Sequence, residues 1–324
     1  MKNKVSILTP VYNGESYVAR FIDSVMNQTY DGIKVELIII NDGSTDNTKE
    51  IIMKYVNDSP NKNVKIKYLE QENGGQASAV ANGIKHVTGE FMTWADSDDY
   101  YEGDAILKMV NYLKNNKDTA IVRCNAYARD ENNIEEILYE LKVQEEYQDK
   151  KDIFEDCILI KGINAFSGVY MARFSKYKEN NPDLYFYEGK QGQNWQLLLP
   201  VLYKNKCDYL DEFVYNYVIR KDSHSHVKKN LNQQIERIIG LRDILFDTIK
   251  MLKLDLNYHK KIINLINEKY DLKLYQIYCK LGDRNKVKEF YKKIHNKNLK
   301  NNIFYFIGTN KLCNQIFKKI KKVV

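Results

Sequence analysis

The 324-residue chain is poor in proline, glycine and cysteine, with 4, 15 and 5 residues of each type. This composition excludes collagen-like, low-complexity and disulfide-stapled proteins, because each of those classes needs one of these residues in abundance. The five cysteines are scattered, odd in number and never spaced as Cys-x-x-Cys. That pattern favours a reduced, cytoplasmic protein.

Long apolar runs are also missing from the sequence. No stretch approaches the roughly 18–20 apolar residues that a membrane-spanning helix needs. The first four residues lead directly into a strand-like segment, without the apolar core of a signal peptide. Any contact with a membrane is therefore expected to be peripheral.

Charge is abundant but unevenly distributed. The whole chain carries +7 at pH 7, whereas residues 228–324 hold 23 Lys and Arg against 8 Asp and Glu. Residues 1–227 are correspondingly acidic, and a basic segment attracts phosphates of a nucleic acid or a membrane surface. We expect an α/β domain over residues 1–227 and a basic helical region over residues 228–324.

Strands and helices are predicted to alternate through the first 130 residues. Short apolar runs predict five strands, at Val5–Leu8, Val35–Ile40, Val64–Leu69, Phe91–Ala95 and Ala120–Ala128. Helical spacing of apolar residues lies between them, with Ser44 or Thr45 as the expected cap of the second helix. This order predicts βαβ units around a mostly parallel sheet. Residues 130–190 are expected to form loops and short strands that complete a pocket.

Polar clusters follow three of the predicted strands, at Thr9–Asn13, Asn41–Asp46 and Asp96–Asp99. Ligands of such sheets bind beyond the carboxyl ends of the strands. The concentration of acids on this one rim therefore predicts a ligand site there.

The central cluster is Asp96-Ser97-Asp98-Asp99. Three carboxylates within four residues repel one another unless a cation holds them. Mn²⁺ or Mg²⁺ takes oxygen ligands and leaves positions for phosphate oxygens. The cluster is a candidate metal and diphosphate site, and the alternative is a helix N-terminus, where Asp interacts favourably with the helix dipole.

The two neighbouring clusters offer contacts for a nucleoside. Asp42 can accept a hydrogen bond from a base or a ribose, and the alternative is a turn stabilised by its side chain. Tyr12 can stack on a base while the backbone of Pro10 and Val11 reads its edge, or it can simply pack in a turn. The Gly74-Gly75 pair before a predicted helix allows close approach of an anion.

Taken together, these segments resemble glycosyltransferase family 2, which has the GT-A fold. The matching segments are Val5–Gly14, Ile22–Tyr30, Ile39–Asp46, Asn73–Ala79 and Trp94–Asp99. The resemblance spans residues 4–226 and is strongest up to residue 100. It implies inverting transfer of a sugar from a nucleotide-sugar, usually a UDP-sugar, to a hydroxyl of a glycan or lipid-linked acceptor in bacterial surface-polysaccharide synthesis.

The resemblance also implies roles for individual residues. Tyr12 and Asp42 would hold the nucleobase, Asp96 would contact the ribose and the sugar, and Asp98 would bind Mn²⁺ or Mg²⁺. The complete set expected at the nucleotide-sugar is Pro10, Val11, Tyr12, Asn13, Asp42, Gly75, Gln76, Asp96 and Arg220.

The catalytic base is left open by the sequence. Many members of the family place Glu-Asp before a helix in the second half, whereas this chain has Gln193-Asn194, which carry no titratable carboxylate. Glu188 and Asp99 are the alternative carboxylates, beside a mechanism without a strong protein base. Trp195 is expected to pack in the core or, alternatively, to stack on an acceptor.

The segment from Arg220 to His226 follows a strand-like stretch and is expected to close over the ligand. Arg220 would face phosphate, and His226 or His224 would be a further metal ligand. The alternative is a solvated loop.

The last stretch, Lys311–Val324, has the pattern of a basic amphipathic helix. Such a helix can lie in an anionic membrane interface, which would place the protein at the inner face of the cell membrane. The alternative is a helix that packs on its own chain or on a partner. No nucleic-acid-binding motif is present, so we expect no nucleic acid partner. The sequence does not define an oligomeric state.

Two other functions compete with the glycosyltransferase that the resemblance implies. A sugar-nucleotide pyrophosphorylase usually carries a glycine-rich loop with a basic residue after its first strand, which Thr9–Gly14 lacks. A catalytically inactive GT-A protein that serves as a scaffold is supported by the absent acid at Asn194 and opposed by Asp42, Asp96 and Asp98.

Overall fold

The computed structural model describes residues 3–164, 166–187, 192–220, 230–294 and 297–310. The chain divides into two compact units. The first comprises Met1–His226 with Met251–Lys253, and the second comprises Val227–Lys250 with Leu254–Val324.

Within the described residues, one nine-stranded sheet forms the centre of the first unit. Its strands are β1 (Lys4–Val11), β2 (Lys34–Asp42), β3 (Val64–Gln71), β4 (Phe91–Trp94), β5 (Tyr100–Tyr101), β6 (Thr119–Asp130), β7 (Asn133–Leu141), β8 (Tyr170–Arg173) and β9 (Lys206–Ile219). The strand order is β3-β2-β1-β4-β8-β6-β9-β5, and β7 pairs with β6 outside this path.

The helices of the first unit connect these strands. They are α1 (Val18–Met26), α2 (Thr48–Asn57), α3 (Gln76–Ile84), α4 (Ala105–Asn115), α5 (Glu145–Gln148), α6 (Phe154–Leu159), α7 (Phe174–Asn180) and α8 (Gln193–Leu202).

The sheet is parallel in its first half and mixed in its second. Strands β1 to β4 pair in parallel, and β6 pairs with β9 in parallel. Strand β8 is antiparallel to both β4 and β6, while β5 and β7 add antiparallel pairs. The α/β class and the five strands predicted up to Ala128 are confirmed. The sheet as a whole is mixed because its later strands run in both directions.

The first two strands are apolar because both faces of the sheet are covered. Every residue from Val5 to Val11 and from Val35 to Asp42 is buried. Helix α3 lies close against them at Gly83, where an added Cβ would come within 2.6 Å of Ile40 and 2.9 Å of Leu8. A larger side chain at this position would push the helix off the sheet.

The region from 130 to 190 contains more regular structure than the sequence predicts. Strand β6 continues to Asp130, and its partner β7 returns along it with irregular register. Three short helices and β8 follow. The cap predicted for the second helix is wrong, because α2 begins at Thr48 and the carboxylate of Asp46 accepts the backbone N–H of Thr48 at 3.1 Å.

The second unit is helical, as predicted. Its helices are α9 (Leu231–Met251, whose last residue belongs to the first unit), α10 (Leu256–Leu281), α11 (Arg284–Lys293) and α12 (Leu299–Thr309). The buried core of α10 and α11 comprises Leu274, Tyr275, Cys279, Val287, Phe290 and Ile294. The described helices include none with the length and apolar character needed to traverse a membrane. The predicted amphipathic segment Lys311–Val324 lies outside the described residues.

Candidate functional site

A cleft of about 360 Å³ opens at the carboxyl ends of β1, β2 and β4 and beside the end of β9. Its lining contains Pro10, Val11, Tyr12, Asn13, Tyr17, Asp42, Gln76, Asp96, Ser97, Asp98, Tyr217, Val218 and Arg220. Eight of the nine residues expected at a nucleotide-sugar line this cleft, and the ninth, Gly75, lies in the loop that Asp42 holds. Residues as far apart in the sequence as Pro10 and Arg220 thus meet at one edge of the sheet.

Asp42 organises the loop before α3. One carboxylate oxygen accepts hydrogen bonds from the side-chain amide of Gln71 at 2.8 Å and from the backbone N–H of Gly74 at 2.9 Å. The other oxygen accepts a hydrogen bond from the backbone N–H of Gly75 at 2.8 Å. The buried carboxylate is therefore both a loop anchor and a wall of the cleft. Its second oxygen accepts one hydrogen bond from the loop, which leaves capacity for a ligand N–H.

Two glycines let this loop pass close to β2. Gly75 has φ +87° and directly precedes α3, and Gly43 has φ +72°. A Cβ on Gly43 would lie 2.7 Å from the backbone nitrogen of Asn73. Both the backbone angle and the close approach favour glycine at position 43.

The loop after β1 is fastened to the loop after β2. The side chain of Asn13 accepts the backbone N–H of Thr45 at 2.8 Å, while the backbone N–H of Asn13 donates to Ser44 Oγ at 2.9 Å. The next residue, Gly14, donates its N–H to Thr48 Oγ1 at 2.7 Å. Asn13 is thus a structural link between two rims, and the neighbouring Tyr12 stays 47% exposed at the cleft.

Asp96 is held by neutral donors. Its two carboxylate oxygens accept Gln76 Nε2 at 2.7 Å and Ser167 Oγ at 2.5 Å, and its backbone N–H donates to the Tyr215 hydroxyl at 3.1 Å. Burial and then the nearby charge of Asp98 raise the pKa of Asp96 to about 6. Neither neutral donor supplies a positive charge, so the carboxylate favours a cationic or hydrogen-bond-donating ligand.

The carboxylate of Asp98 lines the cleft and pairs with Arg220. Arg220 Nη1 lies 2.9 Å from its Oδ2, and the guanidinium carbon of Arg220 lies 4.4 Å from the centroid of the Tyr17 ring. Arg20 Nη2 donates to the backbone carbonyl of Asp98 at 2.5 Å. Two arginines therefore contact this residue, one at its carboxylate and one at its backbone.

Asp99 does not face the cleft. It is 1% exposed, one carboxylate oxygen accepts the backbone N–H of Val218 at 2.8 Å, and the other has no hydrogen-bond partner among the described residues. Burial, followed by the charges of Asp98 and Asp96, raises the pKa of Asp99 well above its usual value. This placement argues against the expectation of Asp99 as a catalytic base, because the carboxyl group is enclosed and does not line the cleft.

The start of α8 carries two neutral side chains, Gln193 and Asn194, where many members of the family have Glu-Asp. Asn194 Oδ1 accepts the indole N–H of Trp94 at 2.8 Å, directly before the acidic cluster. Trp195 is buried and donates its indole N–H to the carbonyl of Cys157 at 2.9 Å, so it packs in the core. The side-chain amide of Gln196 binds the backbone of Tyr187 twice. Its Oε1 accepts the Tyr187 N–H, and its Nε2 donates to the Tyr187 carbonyl. Glu188, His224 and His226 lie outside the described residues.

The described side chains fit a divalent cation only in part. Among them, no group of three or more His, Cys, Asp or Glu converges. Asp98 reaches the cleft with one oxygen held by Arg220 and, among the described contacts, its other oxygen unengaged. Such a carboxylate suits Mn²⁺ or Mg²⁺, which often take one or two protein carboxylates and complete their coordination with phosphates and water.

Several site residues are not indicated by any pattern in the sequence. Tyr17, Tyr217 and Val218 line the cleft, and Ser167 and Tyr215 hold Asp96. Tyr17 lies five residues after Tyr12, at the start of α1. This closeness in sequence to Tyr12 is the signal that could have identified it. The others come from β9 and from the loop before β8, whose places in the sheet cannot be deduced from spacing.

The fold and this cleft define an α/β protein with a polar cleft at the carboxyl ends of its parallel strands. A family profile described as "Glycosyl transferase family 2" matches residues 6–177, more than half of the chain. The chain belongs to glycosyltransferase family 2.

Relatives of known name support this assignment. Glycosyltransferase GlyA of Streptococcus pneumoniae is 31% identical over 236 residues, which cover 69% of this chain and 32% of GlyA. Chondroitin synthase of Pasteurella multocida is 40% identical over 111 residues, covering 34% of this chain and 11% of that protein. The chain thus spans about a third of the length of GlyA.

Solved structures share the fold. The S. aureus TarS 1-349 structure in complex with UDP-GlcNAc superposes with a TM-score of 0.62 at 19% identity, covering 90% of this chain and 81% of that one. The mannosyltransferase PcManGT from Pyrobaculum calidifontis, in complex with GDP-Man and Mn²⁺, gives 0.57 at 12% identity, covering 96% and 86%. The GT-A fold predicted from the motifs is confirmed.

Proposed function

We propose that the protein is a metal-dependent, inverting glycosyltransferase that moves a sugar from a UDP-sugar to a hydroxyl of a glycan or lipid-linked acceptor in surface-polysaccharide synthesis. The observation that carries this proposal is the cleft, which brings the family's three polar segments together as one site. Tyr12, Asp42, Asp96 and Asp98 all line it.

The nucleoside would bind at the β1 and β2 side of the cleft. The exposed ring of Tyr12 offers an apolar face for a base, and Asp42 offers a carboxylate oxygen for a base N–H. Asp42 is preorganised for this role because three N–H groups fix its position. The backbone of Pro10 and Val11 lies along the same wall.

The diphosphate would lie between Asp98 and Arg220. A bound Mn²⁺ or Mg²⁺ would neutralise the charge that develops on the leaving group. Asp98 would hold that ion, and Arg220 would donate to phosphate oxygens. Asp96, held by Gln76 and Ser167, would accept a hydroxyl of the ribose or of the transferred sugar.

The acceptor hydroxyl would attack the anomeric carbon from the face opposite to the diphosphate, which inverts the configuration. Asn194 cannot remove the proton of this hydroxyl because an amide is not a base at neutral pH. Glu188 is our candidate for that role. It follows Tyr187, which Gln196 holds close to the start of α8.

Release of nucleoside diphosphate from a panel of nucleotide-sugars tests this function. Turnover of one nucleotide class that requires Mn²⁺ or Mg²⁺ is expected, with Asp98→Asn reducing it by at least about 100-fold. Asp104→Asn is the matched control, since Asp104 lies outside the cleft and pairs with Lys108. No turnover with any donor, in a protein that binds nucleotide, would favour the inactive scaffold.

A further inference from the structure

The contact between Arg220 and Asp98 places two cations in competition for one carboxylate. Arg220 Nη1 lies 2.9 Å from Asp98 Oδ2, and both side chains are partly exposed in the cleft, 23% and 28%. A divalent ion at the same carboxylate would meet a guanidinium already in place. Two positive charges on one partly exposed carboxylate repel each other, so their occupancies must be coupled.

The backbone at Asp98 is positioned independently of Arg220. Arg20 donates to its backbone carbonyl, and Arg20 also lies over the ring of Tyr100, 5.4 Å from its centroid. Loss of the Arg220 contact would therefore leave Asp98 directed into the cleft. Arg20 thus holds the backbone of the loop, whereas Arg220 neutralises the carboxylate.

While it contacts Asp98, Arg220 also packs over an aromatic ring. Its guanidinium carbon is 4.4 Å from the centroid of the Tyr17 ring, which is a favourable position for a cation above an aromatic face. Tyr17 also lines the cleft. The guanidinium can leave the carboxylate by a small movement and remain over this ring, beside any diphosphate bound between Asp98 and Arg220.

We propose that Arg220 is an internal substitute for the metal ion, which neutralises Asp98 before the donor binds and transfers its hydrogen bonds to the diphosphate when the metal–nucleotide complex arrives. This inference rests on the proposed metal role of Asp98. It assigns to Arg220 a positioning role with two alternative partners, and it makes entry of metal and of diphosphate mutually dependent.

The proposal predicts effects of opposite sign in one variant. In Arg220→Gln the carboxylate of Asp98 is no longer neutralised, so Mn²⁺ alone binds about fivefold more tightly. The same variant lacks a donor to phosphate, so UDP in the presence of saturating Mn²⁺ binds about tenfold more weakly. A side chain that only stabilised the fold would weaken both.

Arg20→Gln is the matched control. It removes a guanidinium from the same cluster, but one that contacts the backbone of Asp98 and not its carboxylate. A general loss of positive charge would raise the Mn²⁺ affinity similarly in both variants. Competition for the carboxylate raises the Mn²⁺ affinity above that of the natural chain in Arg220→Gln alone, whereas Arg20→Gln, which loses a contact that holds the Asp98 backbone, leaves it unchanged or lower.

The experiment is a titration of the full chain with Mn²⁺, followed by electron paramagnetic resonance of the free ion, and then with UDP by calorimetry. Circular dichroism and thermal unfolding establish that each variant is folded, and Arg220→Lys provides a second variant that retains the charge. Tighter Mn²⁺ binding with weaker UDP binding in Arg220→Gln supports the proposal.

Two other results overturn it in distinguishable ways. Unchanged or weaker binding of Mn²⁺ alone in Arg220→Gln, with Asp98→Asn abolishing that binding, removes the role of Arg220 and leaves the proposed metal site intact. If neither the natural chain nor Arg220→Gln binds Mn²⁺, with or without UDP, the metal role of Asp98 fails together with the inference.

Discussion

Three aspartates within four residues occupy three different environments. Asp96 meets two neutral donors, Asp98 meets an arginine, and Asp99 is enclosed beneath the cleft. Their repulsion is thus relieved in part by a counter-charge on one carboxylate and in part by the raised pKa of the other two. The motif supplies one carboxylate suited to a cation, rather than three equal ligands.

The pKa of Asp96 predicts how stability depends on pH. Because its folded value of about 6 exceeds its usual value of 3.8, the folded protein binds more protons than the unfolded chain between these values, and stability falls as pH rises through this window. In Asp96→Asn we expect this fall to be smaller by about 2–3 kcal/mol.

Urea unfolding of the ligand-free protein at pH 4, 5, 6 and 7 measures this effect. Asn can accept from Gln76 and donate to Ser167, so the contacts of Asp96 are largely kept. The charge of Asp96 contributes to the raised pKa of Asp99, so the same comparison is also made in an Asp99→Asn background. Identical slopes of unfolding free energy against pH in the two proteins would contradict the assignment.

At the scale of elements, the strand ends are joined by short loops that brace one another. Asn13 connects the loop after β1 to the loop after β2, and Asp42 connects the end of β2 to the loop before α3. These contacts fix the positions of the loops that surround the cleft. The site is therefore preorganised on the part of the sheet that the sequence predicts best.

Gly43 should be the least replaceable position of these loops. Gly43→Ala places a Cβ against the backbone of Asn73 at a positive φ, and we expect a loss of about 1–3 kcal/mol in stability with weaker UDP binding. Gly103→Ala is the control, since its Cβ would meet nothing within 4 Å. Urea unfolding and calorimetry should show a change within about 0.5 kcal/mol for this control, and equal losses in both variants would refute the explanation.

The sequence predicts elements best where one physical effect dominates. Strands β1, β2 and β4 are almost entirely buried, so their apolar runs are unambiguous, and β3 begins with alternating buried and exposed residues. Strand β7 is largely exposed, with Ile137, Leu138 and Tyr139 adjacent to one another, and no alternation reveals it. The start of α2 was misplaced because Asp46 accepts the N–H of Thr48, while Ser44 and Thr45 bind Asn13.

The candidate site was predicted unevenly for a related reason. Motifs identify the residues that follow parallel strands, which explains the correct placement of Asp42, Asp96 and Asp98 in one cleft. They do not reveal which side chain of a turn points inward, so the burial of Asp99 required the structure. The contribution of β9 depends on a long-range pairing with β6 that no local pattern encodes.

For the whole molecule, the uneven charge predicts a membrane-surface function of the C-terminal region. Residues 228–324 are strongly basic, and five lysines lie in 311–324. The full chain should sediment with anionic phosphatidylglycerol vesicles at low salt and not with phosphatidylcholine vesicles. Removal of 311–324 should weaken this binding at least about tenfold, since each lysine near the surface contributes about 1 kcal/mol.

Vesicle cosedimentation at two salt concentrations checks this prediction. Electrostatic binding must decrease with added salt. The full chain remaining in the supernatant with anionic vesicles at low salt would contradict a membrane role, as would equal binding of the full chain and of the protein ending at residue 310.

The central claim is that the cleft at the carboxyl edge of the sheet binds a nucleotide-sugar through a metal held by Asp98. Calorimetric titration with UDP-, GDP- and dTDP-sugars, with and without Mn²⁺, tests it most directly. We predict binding of the UDP class, dependent on Mn²⁺ and lost in Asp98→Asn. Absence of binding to all three classes by the folded protein, or equally tight binding without metal, would contradict the account.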